Sequence, residues 1–182
     1  QSYLDQIVKR DILLHHPYDS FETFLKFIQE ACRDEMVTSI ELTLYRTDRS
    51  SPIVEALKAC ARKKSIRVII ELRARFDEAN NMALAEELSS AGVHIAYGFG
   101  KLKLHAKLAL VTRVKIDGSK QRFAHLSTGN YSSVNSRLYT DLAILTANVD
   151  ITADAQEFFN KVFQGQIPQN FRKLLAAPTG LH

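Results

Sequence analysis

The order of apolar and polar residues predicts an α/β fold, with a mixed, partly parallel sheet flanked by helices. Three observations carry this. Strand-like and helix-like segments alternate through the first half of the chain, the pattern of βαβ units. Residues 66–72 are β-branched and apolar on both faces at their centre, which suits a buried strand covered by helices. Two strand-like runs, 104–114 and 121–128, flank Asp117-Gly118, a strong hairpin signal that makes the sheet mixed.

The elements follow in order. Ser20 is a good N-cap, and Phe21, Phe24, Leu25, Ile28 and Cys32 follow at helical spacing. Residues 37–45 read as a strand ending at Tyr45-Arg46. Ser51-Pro52 opens a second helix, with proline suited to the first turn and Ile53, Leu57, Cys60 and Ala61 on its apolar face. A third helix is expected from about 78 to 90, with Gly92 as its stop signal. Residues 93–97 form a further strand, followed by Gly98 and Gly100, a flexible approach too loose for a nucleotide fingerprint. After the hairpin, 139–146 read as a strand and 152–163 as a helix, with a short helix expected after Pro168. There is no internal repeat or low-complexity stretch.

With 182 residues, the chain fits one domain, residues 1–182, with material for a real core. Hydrophobic content of 46% is ordinary for a globular protein. The net charge of +4 is compatible with a polyanion ligand without demanding one. Lys and Arg are scattered, which excludes an electrostatic tail. Cys32 and Cys60 lie in helical patterns as small buried thiols, with neither a disulfide framework nor zinc spacing. No apolar run is long enough for a bilayer span and no secretory signal opens the chain, so a cytoplasmic setting is expected. Gln1 is not an initiator methionine, and the opening residues read as mid-protein.

The chemistry concentrates in Leu104-His105-Ala106-Lys107-Leu108-Ala109-Leu110-Val111. Read as a strand, this places His105 and Lys107 on one face. Neutral imidazole is a nucleophile near pH 7 because its ordinary pKa is about 6.5. Lys107 can begin to neutralise phosphoryl oxygens, or it is merely an edge-strand charge. Ser127-Thr128-Gly129-Asn130 ends the next strand-like run, where Asn130 and backbone N–H groups can hold oxygens in a transition state. Together they predict a phosphoryl-transfer site with a phosphohistidine or a related covalent intermediate. Arg46 and Arg75 follow strands, where loops at carboxyl ends build α/β sites. Their guanidinium groups suit phosphate oxygens, or structural ion pairs with Asp77 and Glu78.

His-x-Lys followed by a Gly/Ser-Asn turn is similar to half of a phospholipase D-type active site. Thr112 stands where such enzymes often carry Asp, and the Ser-Thr-Gly-Asn cluster is delayed by the hairpin. Those departures point to a narrower family. The ordered segments are Leu13-Leu14-His15-His16-Pro17-Tyr18, Leu44-Tyr45-Arg46, Ser51-Pro52-Ile53-Val54 and Glu71-Leu72-Arg73-Ala74-Arg75-Phe76-Asp77-Glu78. They continue with Ala91-Gly92-Val93-His94, Leu102-Lys103-Leu104-His105-Ala106-Lys107, Thr128-Gly129-Asn130-Tyr131 and Arg137-Leu138-Tyr139-Thr140-Asp141. Through them the chain resembles bacterial polyphosphate kinase of the histidine-phosphorylating type over residues 10–178. Ser127 stands where that family usually has Gly, and Ala79-Asn80 replaces the usual Glu-Ala.

The resemblance implies a phospholipase D-like domain, the first of two C-terminal catalytic domains of a larger kinase. The N-terminal, head and second C-terminal domains are absent from this sequence. It implies reversible transfer of the ATP γ-phosphate to polyphosphate, with His105 as the phosphorylated histidine and ATP, ADP and polyphosphate as ligands. It implies Mg²⁺, with Arg46 and Arg75 bordering the metal–phosphate site; arginine has no free lone pair for a cation, so the association runs through phosphate or water. Asp77 and Glu78 are water-mediated partners there, or charges at a helix N-terminus. Tyr139 is expected at the nucleotide, and Asp141 orients a histidine from the absent domain by triad logic. His125 is expected to be structural. The resemblance also implies a homo-oligomer in the full-length protein, with no nucleic acid as partner. The rival readings are a phospholipase D-like phosphodiesterase or nuclease half-site and a non-catalytic polyanion-binding module.

Overall fold

A computed structural model describes residues 2–45, 47, 50–72, 78–98, 102–178 and 180. Its strands are β1 (Ile12–His16), β2 (Val37–Leu44), β3 (Ser65–Ile70), β4 (His94–Tyr97), β5 (Lys107–Val114), β6 (Lys120–Ser127) and β7 (Asp141–Thr146). Its helices are α1 (Tyr3–Lys9), α2 (Glu22–Arg33), α3 (Pro52–Cys60), α4 (Glu78–Ser90), α5 (Asn135–Leu138) and α6 (Val149–Phe163). The strands form one sheet in the order β1-β7-β6-β5-β2-β3-β4. β2, β3 and β4 are parallel and joined through α3 and α4; every pairing from β2 through β5, β6 and β7 to β1 is antiparallel.

Local chemistry explains the boundaries. Ser51 Oγ accepts from Ile53 N at 3.3 Å, and Pro52 takes the first turn, where its missing N–H leaves no helical bond unmade. The N-cap of α2 is Phe21 and not the expected Ser20, whose Oγ still accepts from Glu22 N at 3.1 Å. Gly92, at φ +99°, turns the chain left-handed after α4, and Val93 N reaches back to Leu88 O at 3.0 Å. Gly118 takes φ +78° in the hairpin, while Asp117 Oδ1 accepts from Ser119 N at 2.9 Å.

The sheet is covered on both faces. On one, α1 to α4 bury Phe24, Phe27, Leu57 and Leu84 against Ile40, Leu42, Val68 and Val111. On the other, α6 buries Ala155, Phe159 and Val162 against Ile69, Leu108 and Leu110. Each such large side chain contributes about 1.5–3 kcal/mol by leaving water. Buried Glu41 fastens α6 to the sheet: it accepts from Arg67 Nε at 2.6 Å and from Gln156 Nε2 at 2.9 Å. Arg67 also donates to Asn160 Oδ1 at 2.8 Å. Burial pushes the Glu41 carboxyl above its ordinary pKa, against the opposing pull of Arg67.

The expected mixed α/β architecture, the three helices through residue 90 and the Asp117-Gly118 hairpin are present. Four further features differ. β5 begins at Lys107, so His105 lies in irregular chain ahead of the strand and not on its face. Tyr139 ends the single turn of α5 instead of opening β7, its N–H bonding to Asn135 O at 3.0 Å. No helix follows Pro168 among the described residues. There the amides of Arg172, Lys173 and Leu174 bond to the Asp154 carboxylate at 2.6–3.0 Å, leaving no helical partners for those donors. Finally, Ile12–His16 forms an edge strand absent from the sequence reading, paired with β7 from Ile12↔Leu145 to His16↔Asp141.

Candidate active site

Sheet direction assembles the site. β2 and β3 run parallel, so Tyr45 and Glu71 leave the sheet at the same end. β5 is antiparallel to β2 and therefore starts there, bringing His105 and Lys107 to that end. Lys107 pairs with Ser127 at the close of β6, and Asp141 opens β7 opposite His16. The polar segments 102–107, 127–130 and Asp141 thus converge although far apart in sequence.

His105 and Lys107 remain side by side despite the break in the strand. Lys107 Nζ lies 3.0 Å from His105 Nδ1 and 2.9 Å from Nε2. An ammonium only donates, and a neutral imidazole offers a single acceptor nitrogen, so a positive charge this close to both ring nitrogens disfavours protonation of the ring. Partial burial lowers the His105 pKa, and the charges of Lys107 and Lys103 lower it further. Burial also lowers the Lys107 pKa, with Lys103 in the same sense and Asp141 opposing. Tyr45 joins the group: its ring meets His105 edge-on at 5.5 Å, while the ammonium groups of Lys103 and Lys107 lie 5.2 and 5.9 Å from its centroid.

The turn after β6 is held to β7. Thr128 Oγ1 donates to Asp141 Oδ1 at 2.8 Å and accepts from Leu142 N at 3.0 Å. Gly129 N donates to Ser127 Oγ at 3.0 Å. Asn130 Oδ1 is buried without a hydrogen-bond partner among the described residues. Below the turn, His125 Nδ1 and Tyr131 OH are 3.1 Å apart, and Tyr131 stacks on Phe24 at 4.2 Å. Burial, aided by the charge of His16, pushes the His125 pKa down to about 3, so this histidine is a neutral part of the core.

Of the expected site residues, His105, Lys107, Asn130 and Asp141 come to the same end of the sheet. Tyr139 follows α5 and is 61% exposed, open to a ligand and not packed as a strand aromatic. Arg46, Arg75, Asp77 and Gly100 lie outside the described residues. Glu78 opens α4, where its charge suits the helix N-terminus. Tyr45, Lys103, Thr43 and Glu71 belong to the same neighbourhood and were not singled out from sequence. The signal for Glu71 was present, a carboxylate directly after the apolar run of β3, whereas Thr43 is one of several polar residues in β2 and had no such signal. The groups around His105 are cationic, and no three His, Cys, Asp or Glu side chains among the described residues group as metal ligands. Among the described residues, this donor set does not fit a Mg²⁺ site built by the protein alone.

Comparison with known proteins identifies the family. Residues 2–167 match the family model described as polyphosphate kinase C-terminal domain 1. The chain is 46% identical over 172 residues to the polyphosphate kinase of Staphylococcus haemolyticus, covering 94% of this chain and 24% of that one. It is 44% identical over 182 residues to the polyphosphate kinase of Neisseria meningitidis, covering 100% and 26%. The chain therefore spans about a quarter of the length of these relatives. The crystal structure of polyphosphate kinase from Porphyromonas gingivalis superposes with a TM-score of 0.82 at 37% identity, over 94% of this chain and 29% of that one. Nuc, a phospholipase D family member from Salmonella typhimurium, superposes with a TM-score of 0.64 at 13% identity, over 88% and 98%, a likeness of fold. The family model over residues 2–167, the relatives and the shared fold have one conclusion: the chain belongs to the polyphosphate kinase C-terminal domain 1 family, a family of transferases.

Proposed function

We propose that this domain carries the phosphorylated histidine of an ATP:polyphosphate phosphotransferase, and that His105 is that residue. The observation that carries the reading is the Lys107 ammonium within 3.0 Å of the His105 ring, whose charge, with burial, favours the neutral imidazole, the nucleophilic form. A ring nitrogen lone pair forms an N–P bond to the γ-phosphorus of ATP. The bond from that phosphorus to the bridging oxygen breaks, and its electron pair leaves on ADP. A terminal polyphosphate oxygen then attacks, the N–P bond breaks, and the lone pair returns to the ring. The reverse sequence makes ATP.

The protein's contribution is electrostatic, because phosphoryl transfer spreads charge over the transferring oxygens. Lys107 lies beside the nucleophile, Asn130 and the 127–130 amides supply donors, and Arg46 and Arg75 are assigned to the phosphates. Mg²⁺ bound with the nucleotide would supply further neutralisation of phosphate charge, and Arg46 and Arg75 are the residues assigned beside it. Tyr139 is assigned to the nucleotide. Asp141, with one oxygen held by Thr128, is assigned to a histidine of a second catalytic domain. The whole protein is then a larger cytoplasmic kinase, homo-oligomeric, in which residues 1–182 form the first C-terminal catalytic domain.

The test is incubation of the full-length parent, and of this chain alone, with γ-labelled ATP and Mg²⁺, followed by mapping of acid-labile, base-stable phosphate. Label on His105, absent in His105→Ala, is the expected result. A His105→Ala parent that still labels overturns the assignment. Transfer to water from diesters, with no need for ATP, selects the phosphodiesterase reading. Salt-sensitive polyanion binding without label selects the binding module.

A further inference from the structure

His105 lies outside regular structure, yet the backbone on both sides of it is caught by side chains from β2 and from the residue that follows β3. The last register pair of β2 with β5 is Leu42↔Ala109. Beyond it, the side chain of Thr43 continues what the ladder no longer supplies. Thr43 Oγ1 donates to Ala106 O at 2.7 Å and accepts from Leu108 N at 3.1 Å. On the other side of His105, Glu71 Oε2 accepts from Leu104 N at 2.6 Å. Thr43 is 2% exposed and Glu71 3%. Glu71 is itself held at its main chain, where Asn81 Nδ2 donates to Glu71 O at 3.0 Å. Gly98 lies against the carboxylate: a Cβ there would be 2.9 Å from Glu71 Oε2.

We infer that Thr43 and Glu71 are positioning residues that clamp the chain at 104, 106 and 108 and thereby aim the His105 ring at the transferring phosphoryl group. The inference rests on the reading of His105 as the nucleophile. Backbone groups that are buried or half-buried outside a ladder need partners, and here each partner is a side chain from a rigid strand or its edge. In-line attack tolerates little error in the nucleophile's position, and a misplacement of about 1 Å costs on the order of 10²-fold in rate. A fixed aim also keeps the imidazole beside Lys107, 3.0 Å away, without relying on that charged pair to order the loop. Neither residue touches the reacting atoms, so each acts through the backbone of its neighbour.

The test uses the full-length parent with Thr43→Val, Thr43→Ser, Glu71→Gln and Gly98→Ala. Valine matches threonine in shape and removes the hydroxyl, whereas serine retains it. Alanine at Gly98 presses on the far end of a flexible side chain, displacing the carboxylate with little demand on the fold. Two readouts are taken: amide hydrogen exchange over 102–108, and the initial rate of His105 labelling against the ATP concentration for half-maximal rate. Thr43→Val should speed exchange at Leu108 and slow labelling roughly ten- to a hundredfold, with the half-maximal ATP concentration changed less than about twofold. Thr43→Ser should restore both. Gly98→Ala and Glu71→Gln should speed exchange at Leu104 and slow labelling in the same sense. Unchanged exchange in every variant overturns the clamp. Faster exchange with a wild-type labelling rate overturns its positioning role. A wild type that never labels, with the exchange response intact, overturns the reaction assigned to His105 and leaves the hydrogen-bonded clamp standing.

Discussion

Gly129 lies flat against the carboxylate of Asp141: a Cβ added to the glycine would be 2.5 Å from Asp141 Oδ2 and 2.6 Å from its Cγ. The absence of a side chain at 129 therefore sets where the Asp141 carboxylate can be. Gly129→Ala should drive Asp141 off its bond to Thr128. Overpacking of this kind costs about 1–3 kcal/mol. Urea unfolding measures that loss. Activity should fall further than stability, and a variant as active as wild type would show that the position of Asp141 is immaterial to the reaction.

Lys107→Met should slow phosphorylation of His105 by about 10²–10³, by analogy with removal of one donor from an oxyanion hole. The pH dependence carries a second signature. Burial and the charges of Lys107 and Lys103 hold the His105 pKa below the ordinary value of about 6.5. Protonation destroys the nucleophile, so the acid limb of the wild-type rate profile lies below that value. Removing the Lys107 charge raises the histidine pKa, and the limb moves to higher pH. Single-turnover labelling across pH measures both effects.

His125 predicts acid sensitivity of the fold. Its pKa is about 3 in the folded protein, against about 6.5 in an unfolded chain. The neutral form is the one the core accepts. Its contribution is complete above the unfolded value and is lost as the pH falls from about 6.5 towards the folded value. Across that window the group alone contributes a slope of about 1.4 kcal/mol per pH unit. Denaturant melts at successive pH values should show His125→Gln to be less stable at pH 7 but flatter in its response to acid.

Arg67→Met removes the cation that accompanies buried Glu41. Breaking such a pair from one side leaves an uncompensated charge and costs about 3 kcal/mol. The loss should appear in equilibrium unfolding. It should be smaller in the double variant Arg67→Met, Glu41→Leu, because no orphaned carboxylate remains.

Asp154→Ala should free the amides of Arg172, Lys173 and Leu174, which then exchange faster with solvent. A cavity of about 440 Å³ runs beside His105 and Lys107, and Phe171, Leu174 and Leu175 form part of its wall. Loss of the Asp154 anchor should loosen that wall at a stability cost of about 1–3 kcal/mol. Exchange mass spectrometry and thermal melts check the two effects.

Much of the architecture was legible along the chain because it depends on neighbouring residues. Ser51-Pro52, Gly92 and Asp117-Gly118 act through local backbone preferences, so the helices and hairpin they bound were readable. The apolar run in β3 likewise announced a strand buried on both faces. β1 escaped because Ile-Leu-Leu-His-His is short and not alternating; only pairing with β7 makes it a strand. The missing helix after Pro168 has the same kind of cause, since Asp154 lies well upstream and claims the amides a helix would use.

The candidate site divides along the same line. The residue types of His105, Lys107, Asn130 and Asp141, and the order of the motifs around them, were determined by the sequence alone, because nucleophilicity, charge and hydrogen-bonding capacity belong to the side chains. Tertiary structure decided how His105 is held. A strict strand would have placed it on the same face as Lys107 by alternation, whereas here Thr43 and Glu71 hold an irregular segment that reaches a similar juxtaposition. It also decided that His125 is a core residue, through burial beside Phe24 and Tyr131, and that Asp141 meets Thr128 and Gly129. Those outcomes depend on sheet order and register, which bring together groups that nothing in their local sequence joins.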